Sequence, residues 1–252
     1  KLTGNSRKIA NSHFMDKFYS GDGPVISIDT AEAGYPIVIS LDYGDSTVTR
    51  NGKVLSGTII MEISGDKHTD GATRIVTYEN FFVDSVSLSG SKSEVFNITA
   101  DSILVITSSG NIVLTLPDGS TITAVTEKQR TWIEGDDTPF VHDDDILQVT
   151  GKTVFTTSEG ESFVKEIITP LLRTGDCRNF VQGTVQYVQD GVEVAVLDYG
   201  NGECDEVANL TTADGETVEI ELKAGKSHGQ NDNAKNNGKG KTNGKGKGNG
   251  KG

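Results

Sequence analysis

The feature that most constrains this chain is its punctuation. Short runs of apolar residues alternating with polar or β-branched ones are separated, repeatedly, by a glycine beside an acidic or amide residue. The pairs are Asn51-Gly52, Asp70-Gly71, Gly110-Asn111, Asp118-Gly119, Glu159-Gly160, Asp190-Gly191 and Asp214-Gly215. Alternation with period two puts every second side chain on one face of a strand. The glycine pairs supply the positive φ that tight hairpin turns require. Between Pro24 and Lys223 the runs follow one another without a helical crossover, which excludes a parallel α/β fold. The expected fold is all-β: antiparallel hairpins or a meander, packed as a sandwich or as an extended sheet stack.

Internal repeats divide the runs into two related halves. LDYG occurs at Leu41–Gly44 and again at Leu197–Gly200. A pattern of aliphatic, polar, Gly, polar recurs at Gly57, Gly90, Gly151 and Gly183. Interior glycines in strands mark bulges or close backbone approaches, so these repeats read as architecture and not as chemistry. The domain reading is a leader over residues 1–24, a β half over 25–135, a second β half over 146–222 and a tail over 223–252. Within the leader, residues 5–20 place Ile9, Ala10, Phe14 and Phe18 on one face of a short amphipathic helix, or else form a leader without fixed structure.

The tail reads KAGKSHGQNDNAKNNGKGKTNGKGKGNGKG and offers almost nothing to bury, so disorder is expected. Its eight lysines and one aspartate carry +7 of the formal −13, which leaves −20 for residues 1–222. A body this acidic lacks the basic surface on which phosphate contacts depend, so no nucleic-acid partner is expected for it. No apolar run approaches the length of a membrane span.

Cys177 and Cys204 flank the Asp190-Gly191 turn symmetrically. In a two-residue hairpin, paired positions there sum to 381, as do 177 and 204, provided no bulge intervenes. No histidine or third cysteine stands near enough in sequence to make the pair a metal site. A structural disulfide is therefore expected, and with it an oxidising compartment outside the cytoplasm.

A catalytic constellation is hard to find. His13, His68 and His142 are too far apart for a metal motif, and neither a GxSxG elbow nor a phosphate-binding loop occurs. The densest acidic stretch runs from Glu134 to Asp145. Asp136, Asp137, Asp143, Asp144 and Asp145 are candidate Ca²⁺ ligands, because Ca²⁺ takes six to eight oxygens. The alternative is a solvated loop between the halves, with Asp and Pro supplying turn chemistry. Trp132, just after Lys128-Gln129-Arg130, reads as a core residue ahead of a sugar platform.

Several stretches together resemble a family of uncharacterised secreted or lipoprotein-like β-rich proteins of Bacteroidota. They are VISLDYG, NGKVLSGTIIMEISG, TRIVTYENFFVDSVSLSGS, RTWIEGDDTP with DDDILQVTGK, ITPLL, DCRNFVQGTVQY and LDYGNGECDEVANLTTADGETVEIEL, over about residues 37–222. The resemblance implies export, periplasmic or cell-surface residence and a β-rich fold. It carries no known activity or cofactor. The expected function is a non-catalytic extracytoplasmic protein with a structural, adhesive or accessory role. Its partner would be a protein or glycan at the cell surface. The alternative is a carbohydrate- or Ca²⁺-dependent ligand-binding module.

Overall fold

The computed structural model describes residues 7–9, 18–21, 23–138 and 141–222. The chain forms strands in strict succession: β1 (Arg7–Ile9), β2 (Val25–Thr30), β3 (Ile37–Asp42), β4 (Thr47–Val48) and β5 (Val54–Ile63). Five long strands follow: β6 (Ala72–Val83), β7 (Val86–Ile98), β8 (Leu104–Thr115), β9 (Thr121–Glu134) and β10 (Ile146–Thr157). The remainder are β11 (Ser162–Thr174), β12 (Gln182–Gln189), β13 (Val192–Asn201), β14 (Val207–Thr212) and β15 (Thr217–Glu221). All pair antiparallel in one 15-stranded sheet, in which 14 strands follow sequence order and β4 pairs with β5 off that path. The meander expectation holds. No helix occurs among the described residues, and Arg7–Ile9, expected within an amphipathic helix, is a strand paired with β2. The rest of that helix falls mainly on residues 10–17, which, like the tail 223–252, lie outside the described residues.

A sandwich needs two layers, and here every pair of strands in substantial contact is a pair of ladder neighbours. The described residues form a single sheet. Nor does the 135–145 connection break it, because β9 and β10 pair from Ile146–Glu134 to Thr157–Ile122. One face is nevertheless buried: Val185 is 0% exposed and Leu104 1%. With no second layer among the described residues to cover them, the sheet must curl over this inner face.

The repeated glycines account for the curling. Gly57, Gly90, Gly151 and Gly183 have φ of 81°, 105°, 116° and 104°. A β-carbon at each would overlap the backbone of an adjacent strand, at Asn80, Asn111, Glu127 and Pro170 respectively. Pairing slips at Ser56/Thr58, Val149/Gly151 and Gln182/Thr184, and such bulges bend a strand and sharpen its twist. The LDYG repeats are equally structural. In each, the aspartate Oδ1 accepts the glycine N–H two residues on at 2.9 Å, Asp42 from Gly44 and Asp198 from Gly200.

Two apolar clusters occupy the inner face. Ala72, Phe96, Leu104 and Ile106 pack with Ile98 and Trp132, whereas Val149, Leu171, Val185, Leu197 and Ala208 pack across β10–β14. At the carboxyl end of the sheet, Cys177 and Cys204 form the expected disulfide, Cα–Cα 5.6 Å. Both lie in loops beyond the ladder. Pairs Gln189–Val192 and Val188–Glu193 sum to 381, but a slip at Tyr187/Val188 and another at Gln182/Thr184 shift the register before the cysteines are reached. Gly110-Asn111, expected as a turn, lies inside β8. Its backbone is held in register by β7 on one side and β9 on the other.

Candidate anion-binding face

Antiparallel register carries side chains of successive strands into rows that run across the sheet. Three neighbouring rows define the centre of the inner face. The first is Ala72, Phe96, Ile106, Arg130, Val149 and Leu171; the second is Arg74, Glu94, Ser108, Lys128, Gly151 and Ile167. The third is Val76, Lys92, Gly110, Thr126, Thr153 and Lys165. Within these rows stand Arg74, Lys92, Lys128, Arg130 and Lys165, a third of the body's fifteen Lys and Arg, against one carboxylate. On a body of net −20 that is a sharp local inversion of charge.

The carboxylate is Glu94, 2% exposed. Its Oε1 accepts from Arg130 Nη2 at 2.7 Å and Lys92 Nζ at 2.8 Å, and its Oε2 from Arg74 Nε at 2.7 Å and from Arg74 Nη2. Ser108 Oγ donates to Oε1 at 3.4 Å. Burial pushes the Glu94 carboxyl up, but the hydrogen bonds from Lys92 and Arg74 outweigh it and hold the carboxyl below the usual range. One buried anion shared by three cations leaves the group net positive.

Lys128 and Lys165 have no carboxylate partner among the described residues. Burial, reinforced by the charges of Lys165 and Lys92, lowers the Lys128 ammonium below the ordinary lysine value. Lys165 Nζ sits 5.8 Å from the centroid of the Tyr187 ring, which stacks on Phe163 at 6.0 Å. The ground between the lysines is small and hydroxylic: Ser108, Gly110, Thr126 and Thr153, with the two threonine hydroxyls 3.2 Å apart. A cavity of about 290 Å³ adjoins the rows, lined by Arg74, Phe96, Ile106, Arg130 and Trp132 from the sheet and by Tyr35 and Lys67 from loops.

The five aspartates named from the sequence do not converge. Asp136 accepts from Lys67 Nζ at 2.7 Å and pairs with His68 Nε2 at 2.9 Å, tying the β5–β6 loop to the β9–β10 loop. Asp144 accepts from Thr138 Oγ1 at 2.8 Å, and Asp145 from Trp132 Nε1 at 3.2 Å. Asp137 and Asp143 are exposed. Among the described residues, no three His, Cys, Asp or Glu are grouped as a metal ion would need. The loop packs instead: a β-carbon on Gly135 would lie 2.7 Å from the Asp145 Cα. Trp132 packs on the first apolar cluster, as a core residue would, while its face lines the cavity beneath Lys67, whose Nζ lies 5.9 Å from the ring centroid.

Sequence reading singled out Lys128-Gln129-Arg130 and Trp132 but not the face they share. The usable signal was the spacing Lys128, Arg130, Trp132, every second residue of one run. Their partners Arg74, Lys92 and Lys165 join only through the register of β6–β11.

Fold and site together define a disulfide-linked, single-sheet all-β protein that presents a cationic strip on one curled face. No helix among the described residues is long and apolar enough to cross a membrane. Compared with known proteins, the chain matches no family model, no curated protein and no solved structure.

Proposed function

We propose that this protein is a non-catalytic, extracytoplasmic binding module, adhesive or accessory in role, that holds a cell-envelope partner on its inner face. The observation that carries the reading is the open strip of five cations around a single buried carboxylate. A charge cluster without compensation is costly to fold in isolation and becomes favourable once an anion occupies it. The Cys177–Cys204 bond supports residence outside the reducing cytoplasm.

The test is retention. Insoluble envelope material from cells expressing the full chain should sediment with the wild type and release a variant with Lys92, Lys128 and Lys165 reversed to Glu. A matched reversal of Arg50, Lys53 and Lys152, away from the strip, should leave retention intact. A wild type that stays wholly in the supernatant overturns the reading.

A further inference from the structure

The strip has a periodicity as well as a charge. Lys92, Lys128 and Lys165 stand on alternate strands β7, β9 and β11. Adjacent strands are about 4.8 Å apart, so the strands that carry these lysines are spaced at roughly 10 Å across the sheet, with Lys128 one row over from Lys92 and Lys165. Between the steps lie the hydroxyls of Ser108, Thr126 and Thr153. Beyond Lys165 the row ends on the Tyr187–Phe163 stack, with Phe163 over a third exposed.

Building on the binding-module reading, we propose that the strip is the seat of an acidic oligosaccharide, a sugar chain bearing carboxylates or sulfates, laid across β7–β11. Lys92, Lys128 and Lys165 meet successive acidic groups. Thr126, the half-buried member of the hydroxyl floor, exchanges hydrogen bonds with sugar hydroxyls, and the Tyr187–Phe163 stack receives an apolar sugar face. In an extended sugar chain whose residues alternate in orientation, every second sugar presents its acidic group on the same side, and these groups recur at about the alternate-strand interval. Nucleic-acid phosphates do not: along a duplex they follow each other every 3.4 Å or so on each strand. The Glu94 cluster sets the position of the cations, since Lys92 is held by hydrogen bond to that carboxylate. A bound anion restores Lys128 toward its ordinary protonation, so binding takes up protons at alkaline pH.

The test uses the full chain, whose basic tail is common to every variant. Isothermal titration measures binding of a hexameric oligogalacturonate and a heparin-derived octasaccharide. Maltohexaose, the methyl-esterified galacturonate and a single-stranded oligonucleotide of equal charge are the comparisons. The wild type is expected to bind at least one acidic sugar in a salt-sensitive manner. The Lys92→Gln, Lys128→Gln, Lys165→Gln triple variant is expected to lose tenfold or more in affinity. The Arg50→Gln, Lys53→Gln, Lys152→Gln control, of the same net charge, is expected to bind as wild type, with thermal melts confirming that both variants fold. Four results overturn the inference: no binding of either acidic sugar, undiminished binding by the strip variant, equal binding of the neutral sugars, or equal binding of the oligonucleotide. Envelope retention that survives any of these leaves the binding-module reading standing with a different ligand.

Discussion

Two glycine-to-alanine substitutions on the same sheet should have opposite effects. Gly183 has φ of 104°, and a β-carbon there would lie 2.7 Å from the Pro170 carbonyl carbon and 2.8 Å from the Leu171 Cα. Both are backbone atoms of β11 and cannot rotate away. Holding alanine at positive φ costs about 1–2 kcal/mol, and forcing packed backbones apart costs about 1–3 kcal/mol more. Gly183→Ala should therefore lose about 3 kcal/mol. Gly110 sits in β8 with ordinary φ, and the nearest atom to its β-carbon would be the Ser91 carbonyl oxygen at 3.6 Å. There alanine restricts only the unfolded chain and should gain about 0.4–1 kcal/mol. For a body of this size 1 kcal/mol moves the melting temperature by about 2–4 °C. Differential scanning calorimetry should find Gly183→Ala roughly 6–12 °C below wild type and Gly110→Ala about 1–4 °C above it. A Gly183→Ala melt at the wild-type temperature, or an equal fall in both variants, would refute the claim that the repeated glycines shape the sheet.

The charged strip and the disulfide give three more expectations. Lys128→Met should raise the melting temperature of the free protein, because it removes a half-buried charge facing Lys92 and Lys165. For the same reason wild-type stability should rise with pH between the depressed folded value of Lys128 and the ordinary lysine value of about 10.4, and Lys128→Met should flatten that rise in chemical denaturation. Glu94→Gln should cost about 3 kcal/mol by urea titration at neutral pH, since it strands three cations. The folded Glu94 carboxyl titrates below its unfolded value of about 4.3, so its contribution is complete above that pH and disappears as pH falls through the folded value, a loss absent in Glu94→Gln. Reducing the disulfide, which spans a sequence separation of 27, should lower stability by about 3–4 kcal/mol on loop entropy, read as a lower urea midpoint.

Much of the fold was legible because hairpin sheets are local. Alternation located the strands, and Asp118-Gly119, Glu159-Gly160, Asp190-Gly191 and Asp214-Gly215 each lie where one strand turns into the next. Gly110-Asn111 misled because the same dipeptide suits a turn or a strand interior, and only the backbones of β7 and β9 decide between them. Period two shows that one face is apolar but not what covers it. A sandwich was thus as natural an expectation as the single curled sheet.

The cysteine pairing came out right, although the register argument behind it fails at the bulges beside Tyr187 and Gly183. A bulge adds one residue to one strand; the repeated-glycine pattern marks the one at Gly183, but nothing in the alternation marks the one beside Tyr187. The cationic strip was hidden by the same physics. Lys92 and Lys165 are 73 positions apart in sequence, and four ladders must be registered before they share a row. The aspartates of 136–145 attracted notice because they are neighbours in sequence. In the fold, Lys67, His68, Trp132 and Thr138 draw them apart.

The most direct test of the central claim is lysine footprinting of the full chain with an amine-reactive ester, in the presence and absence of oligogalacturonate. Added acidic sugar should protect Lys92, Lys128 and Lys165 while Lys53 and Lys152 label as before. Protection confined to the lysines of the tail, or equal protection on both faces of the sheet, would contradict the account.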